Sequence, residues 1–258
     1  MRTDDRELGV AAVAGSAPAF GRVPRSTTLR HPPTHSFERT LMNFLSPDNL
    51  AVENVIINGH RITYGVHGAA DPVVLVHGTP SSSYIWRNVV PNLVQAGYRT
   101  HVFDLLGYGL SERPWDPEID TSITANVAVL EGLLDVWGLT TFHLVAHDIG
   151  GGVAQRFGVH NSDRLRSLTM IDVVSFDSYP SKRTQQQMAE GLASLAKKPD
   201  DEHRAHFTEW LLSTHSNPRN FDPRALEQYI DFISGPIGQP SLFHHQIAHY
   251  DSKHTMEI

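Results

Sequence analysis

Between residues 52 and 174 short continuous apolar runs alternate with longer stretches of helical period, and that alternation admits few folds. Strands apolar on both faces, such as residues 73–77 and 141–146, must be covered by helices on both sides, so their sheet is largely parallel. Residues 52–57 and 62–66 flank Asn58-Gly59, the pair that a tight primed turn favours, so an antiparallel hairpin precedes the parallel part. A helix is expected over residues 83–95, stopped by Gly97, and another over 150–159. Ile123, Val127, Leu130, Leu134 and Trp137 share one helical face, and further strands are expected at 100–104 and 168–173. The fold class is α/β.

After Val174 the strand signal stops. Leu226, Tyr229, Ile230 and Ile233 fall at helical spacing, as do Phe243, Ile247 and Tyr250, so residues 181–252 read as several helices forming a cap over the sheet. The first 41 residues differ again, with six arginines among Ala, Gly, Ser and Pro and no sustained period. The chain thus divides into a disordered extension over residues 1–41, an α/β core over 42–174 and a helical cap over 175–258. Asp4, Asp5, Glu7 and Glu38 argue against a transit peptide, no apolar segment suits a secretory signal, and Met42 is the natural first residue.

The net charge of −7 is spread along the chain without a basic stripe, so nucleic acid is not an expected partner. No apolar run is long enough for a membrane span. With no cysteine, disulfides and thiolate metal sites are excluded, which fits a cytoplasmic location. No metal or organic cofactor is implied, and a small apolar molecule is the expected partner.

The stretch Leu144 to Gly152 reads LVAHDIGGG. A strand running sharply into a helix can hold one side chain above the sheet if its neighbours are small. Here Ala146 lies two residues before Asp148 and Gly150 two after. The amides opening the next helix favour an anion at that point. A carboxylate attacking an ester would give only an anhydride, but at an sp³ carbon bearing a leaving group it gives an alkyl ester that water can cleave. Carbon–halogen bonds and epoxide C–O bonds are two such targets. Taken alone, Asp148 serves equally well as a plain helix N-cap.

His77-Gly78-Thr79-Pro80, Trp86-Arg87-Asn88, Asp104 to Ser111 (DLLGYGLS) and His147-Asp148-Ile149-Gly150-Gly151 occur in this order. Together they resemble the α/β-hydrolase superfamily, in its haloalkane dehalogenase and epoxide hydrolase branch, over residues 52–258. The resemblance implies a sheet with a helical cap inserted after the sixth strand, and an oxyanion or leaving-group hole made by the backbone N–H groups of Thr79 and Ile149. It makes Asp148 the nucleophile. In one dehalogenase subfamily the acid that orients the catalytic histidine ends the next strand, 24 residues beyond the nucleophile, which is Asp172 here. That residue is also read as an ordinary polar strand end.

Three departures from the family pattern matter. Dehalogenases usually grip the halide with an Asn or cap Trp and a Trp after the nucleophile, whereas this chain has Thr79 and Ile149, and isoleucine cannot donate. Epoxide opening needs a donor to the ring oxygen, commonly a cap tyrosine, and Tyr179, Tyr229 and Tyr250 are the candidates. The family's histidine base lies after the last strand. His203, His206, His215, His244, His245, His249 and His254 read as surface or cap packing, and His77 and His147 as structural neighbours of the turns. The last two strands are therefore expected to be missing, leaving the sixth as an exposed edge and stalling turnover at the ester. The leading expectation is an epoxide hydrolase-like enzyme acting through an aspartyl ester. The alternatives are a haloalkane dehalogenase and a noncatalytic pseudoenzyme or binding protein.

Overall fold

Asn58 and Gly59 both take left-handed backbone conformations, with φ of 51° and 86°, and close the expected hairpin. It joins β1 (Glu53–Ile57) to β2 (His60–Gly68), with Ile57 opposite His60. The computed structural model describes residues 49–258, and the expected extension over residues 1–41 and the start at Met42 lie outside these. Next come β3 (Asp71–Val76), α1 (Val90–Gln95), β4 (Tyr98–Phe103), α2 (Ile123–Trp137), β5 (Phe142–His147), α3 (Ile149–His160) and β6 (Leu165–Ile171).

Among the described residues these strands form one sheet in the order β1-β2-β4-β3-β5-β6, parallel from β4 to β6. β2 is antiparallel to both of its neighbours. The chain thus builds β3 and β4 side by side and then crosses back to place β5 on the other flank of β3.

The helix expected over residues 83–95 forms as two pieces, a short 3₁₀ turn (Ser83–Trp86) and α1. Pro91 lies in the first turn of α1. Proline lacks an N–H and its ring collides with the carbonyl four residues back, so one continuous helix cannot run through it. By contrast α2 forms as expected: Ser122 caps its start by accepting from Ala125 N, and Gly138 ends it at φ 64°. Its face bearing Ile123, Leu130 and Leu134 is buried with Val74, Phe103, Leu144 and Phe157 in the main core.

Beyond β6 the helices are α4 (Lys182–Glu190), α5 (Leu192–Leu195), α6 (Asp200–Ser213), α7 (Pro223–Phe232), α8 (Gly235–Ser241), a π-helical turn (Leu242–Ile247) and α9 (Lys253–Met256). Phe207, Leu211, Ile230, Ile233 and Phe243 make a second hydrophobic cluster, into which Tyr84 reaches from the loop after β3. The packing does not divide at residue 175, the expected edge of the cap. Tyr179 belongs to the main core, Tyr250 packs against it, and Arg156 of α3 donates to the carbonyls of His254 and Glu257. The chain therefore returns to the sheet layer after crossing the helical one.

β6 is the outer strand of the described sheet, and its Met170 is 51% exposed. Among the described residues no helix is long and apolar enough to cross a membrane.

His101 lies fully buried on β4, its ring 4.7 Å from that of Trp137, and neither ring nitrogen has a hydrogen-bond partner among the described residues. Burial, aided by Arg99, pushes its pKa down to about 4. The unfolded chain would protonate near pH 6.5 while the fold still excludes the proton, so stability is complete above about pH 6.5 and is lost as pH falls toward 4. Urea unfolding at pH 7 and pH 4.5 should show this loss. His101→Leu should reduce it by on the order of 1 kcal/mol.

Candidate active site

β3 and β5 run parallel as neighbours, with Val76 beside Ala146. Chain order reverses across this pair, and in such sheets the crevice beyond the carboxyl ends of the strands is where ligands bind. The loop after β3 carries Thr79 and the turn after β5 carries Asp148. Thr79 N donates to Asp148 Oδ1 at 2.7 Å, and the backbone amide of Ile149 also favours the charge of this carboxylate.

Asp148 has φ 52° and ψ −123°, a region few non-glycine residues adopt. Its carbonyl accepts from Gly151 N at 2.9 Å and Val174 N at 3.2 Å, which clamps the turn. Although Asp148 precedes α3, its side chain makes no capping bond to that helix. The carboxylate turns instead across the crevice to Thr79. Two glycines permit the approach: a Cβ on Gly78 would collide with the Asp148 side chain, and one on Gly150 with the carbonyl of His77.

The Asp148 carboxyl faces a cavity of about 320 Å³. Burial raises its pKa above the usual aspartate value, while the amides of Ile149 and Thr79 pull in the other direction without cancelling the rise. Val174, Phe207, Trp210, Leu242 and Ile247 supply apolar wall. Tyr179 and Tyr250, two of the three candidate tyrosines, also line the cavity. The Tyr250 hydroxyl faces those of Tyr108 and Thr79, and burial keeps its pKa well above that of a free phenol. Tyr179 instead donates its hydroxyl to the carbonyl of Asp251 at 2.9 Å.

Tyr229 does not line the cavity. Its ring packs at 5.7 Å on Tyr84, and its hydroxyl lies 3.4 Å from Arg87 Nη1 inside the second cluster. The period of α7 identified a buried face, and that face packs on Tyr84, away from the site. Asp172 directly follows β6 with φ 45°, exposed and outside the cavity lining.

Tyr108 was not among the sequence candidates. Its hydroxyl is 2.9 Å from Thr79 Oγ1, and its ring lies edge-on to His77 at 5.5 Å. Asp104 aims this loop by accepting from Ser83 N at 2.7 Å and Leu110 N at 2.6 Å. The available signal was a tyrosine between two glycines just beyond a strand's carboxyl end.

No histidine lines the cavity among the described residues. His77 Nε2 accepts from Leu105 N at 3.0 Å, so its Nδ1 carries the proton that reaches the carbonyl of Gly78, also at 3.0 Å. Burial lowers its pKa and keeps it neutral, a structural role. His203 and His245 bond to the carbonyls of Ile233 and Pro114 and act as packing. Among the described residues no group of three or more His, Asp or Glu side chains is placed to hold a metal ion.

A family model described as alpha/beta hydrolase fold matches residues 71–252. The chain is 35% identical over 130 residues to a soluble epoxide hydrolase of a Corynebacterium species, covering 48% of this chain and 44% of that protein. It is 34% identical over 114 residues to a haloalkane dehalogenase of Mesorhizobium japonicum, covering 44% and 36%. It thus spans less than half the length of these curated relatives. The crystal structure of an alpha/beta hydrolase fold protein from Burkholderia ambifaria superposes with a TM-score of 0.73 at 30% identity, covering 81% of this chain and 74% of that one.

Gly78→Ala should force the Asp148 carboxylate off the Thr79 amide. The expected loss is about 1–3 kcal/mol of stability, read as a lower urea midpoint at unchanged slope.

Proposed function

The chain belongs to the α/β-hydrolase fold family, and from that premise we propose that it is a hydrolase acting at an sp³ carbon through an ester on Asp148, with small epoxides as the preferred class. One observation carries the reading: Asp148 Oδ1 is engaged by the Thr79 amide while the carboxylate faces an apolar-walled cavity. Oδ2 is the oxygen left to attack.

In this mechanism Oδ2 forms the bond to carbon as the epoxide C–O bond breaks, and the departing oxygen takes its proton from Tyr250. The raised phenol pKa keeps that proton in place until an alkoxide develops. Water then adds to the ester carbonyl carbon, giving its proton to the Tyr250 phenolate; the charge that develops on Oδ1 falls on the amides of Thr79 and Ile149, and the ester C–O bond breaks to release the diol and the carboxylate. The donors that hold the resting carboxylate thus become the oxyanion hole without rearrangement.

The Corynebacterium relative supports the epoxide reading. The Mesorhizobium relative supports a second, carbon–halogen cleavage by the same nucleophile. Two features favour the first: Thr79 Oγ1 is already engaged by Tyr108, and Ile149 offers no side-chain donor to a halide.

Acid-quenched single turnovers followed by intact mass separate the readings. A terminal epoxide should add its whole mass to the protein, a haloalkane its alkyl group less the halide, and Asp148→Asn should abolish both adducts. Tyr250→Phe should slow epoxide addition about 100-fold, far more than haloalkane addition. An adduct that persists in Asp148→Asn overturns the nucleophile assignment. Binding without any adduct in the unsubstituted protein makes the pocket noncatalytic.

A further inference from the structure

The cavity lining contains two charged side chains, Asp148 at its floor and Arg183. Arg183 lies in the first turn of α4, next to Lys182, and that turn carries no acidic residue. Cations there oppose the helix dipole, so this exposed end of the cavity concentrates positive potential.

Arg183 is also held in place. Its guanidinium lies 5.8 Å over the Trp210 ring, and Nη2 is 3.3 Å from His206 Nε2. Arginine has no acceptor, so Nε2 must accept and His206 must be neutral; burial first, and the charge of Arg183 second, lower its pKa accordingly. Among the described residues no carboxylate lies within ion-pair distance of Arg183. A planar fork braced on one face and at one nitrogen, with donors unspent, matches a carboxylate.

Resting on the reading of Asp148 as nucleophile, we propose that Arg183 is a specificity residue and that the substrate carries a carboxylate at the end remote from its reactive carbon. The two ends of the cavity then orient the molecule. Asp148 repels the anionic tail and Arg183 attracts it, so the apolar middle spans Phe207, Trp210 and Leu242 and the electrophile meets Oδ2. The substrate is thus amphipathic, with an apolar chain and one anionic terminus.

The test pairs two epoxides of equal length, one ending in a carboxylate and the other in a carboxamide. Adduct formation by the 258-residue chain, followed by mass against concentration, should half-saturate at about five- to tenfold lower concentration for the carboxylate. That ratio should shrink with added salt, fall toward one in Arg183→Gln and be partly kept in Arg183→Lys. Equal half-saturation in the unsubstituted protein, or a ratio that survives Arg183→Gln, overturns the proposal. If neither epoxide labels Asp148, the nucleophile reading fails. Calorimetry with the unreactive diol acid and diol amide then decides the Arg183 site: tighter binding of the acid, lost in Arg183→Gln, supports it, and equal binding refutes it.

Discussion

The hydrogen bond from Thr79 N to Asp148 Oδ1 is the contact around which the sheet layer is organised. It joins residues 69 apart in sequence and exists because the chain crosses back at β3 and sets β5 beside it. Gly78 and Gly150 leave the space, and the left-handed turn at Asp148, clamped through its carbonyl, aims the side chain. Relaxing that turn would point the carboxylate back toward its own helix, where it would only cap.

The same contact balances the electrostatics of the carboxylate. Burial disfavours its charge, and the two amides favour it without fully cancelling the effect. A carboxylate held this way is less hydrated than that of a surface aspartate, yet one oxygen is already satisfied. The proposed two-step displacement fits this arrangement, because an ester on Oδ2 would leave Oδ1 beside the Thr79 amide.

The helical layer is tied to this floor chiefly through the loop that carries Tyr108. Gly107 O accepts from Ser241 Oγ and Gln246 Nε2 at 3.1 Å each, and Arg113 bridges the carbonyls of Gly109 and Phe232 at 2.6 Å. Burial lowers the Arg113 pKa to about 10, which leaves it charged and its hydrogen bonds strong. The loop that positions the Tyr108 hydroxyl against Thr79 therefore also anchors the layer that supplies the cavity walls. Shifts of the helices would reach the elbow through Tyr108 and Tyr250.

Much of the architecture was legible in the sequence because its causes are local. Asn58-Gly59 sets its own turn, the buried strands announce themselves as apolar runs, and the small residues around Asp148 mark the elbow. Helical periodicity was a weaker guide. It located the buried face of α7 but not what lies against it, so Tyr229 read like Tyr250 although only the latter reaches the cavity. Pro91 carried the signal that divides the helix over residues 83–95, and the apolar spacing masked it. Sequence by itself determined the α/β layering, the turn chemistry and the identity of the carboxylate, since each follows from neighbours a few residues apart. Tertiary structure decided that Thr79 holds that carboxylate and that Tyr108, Tyr250 and Arg183 share its surroundings, because those contacts depend on strand order and on the packing of one layer over another.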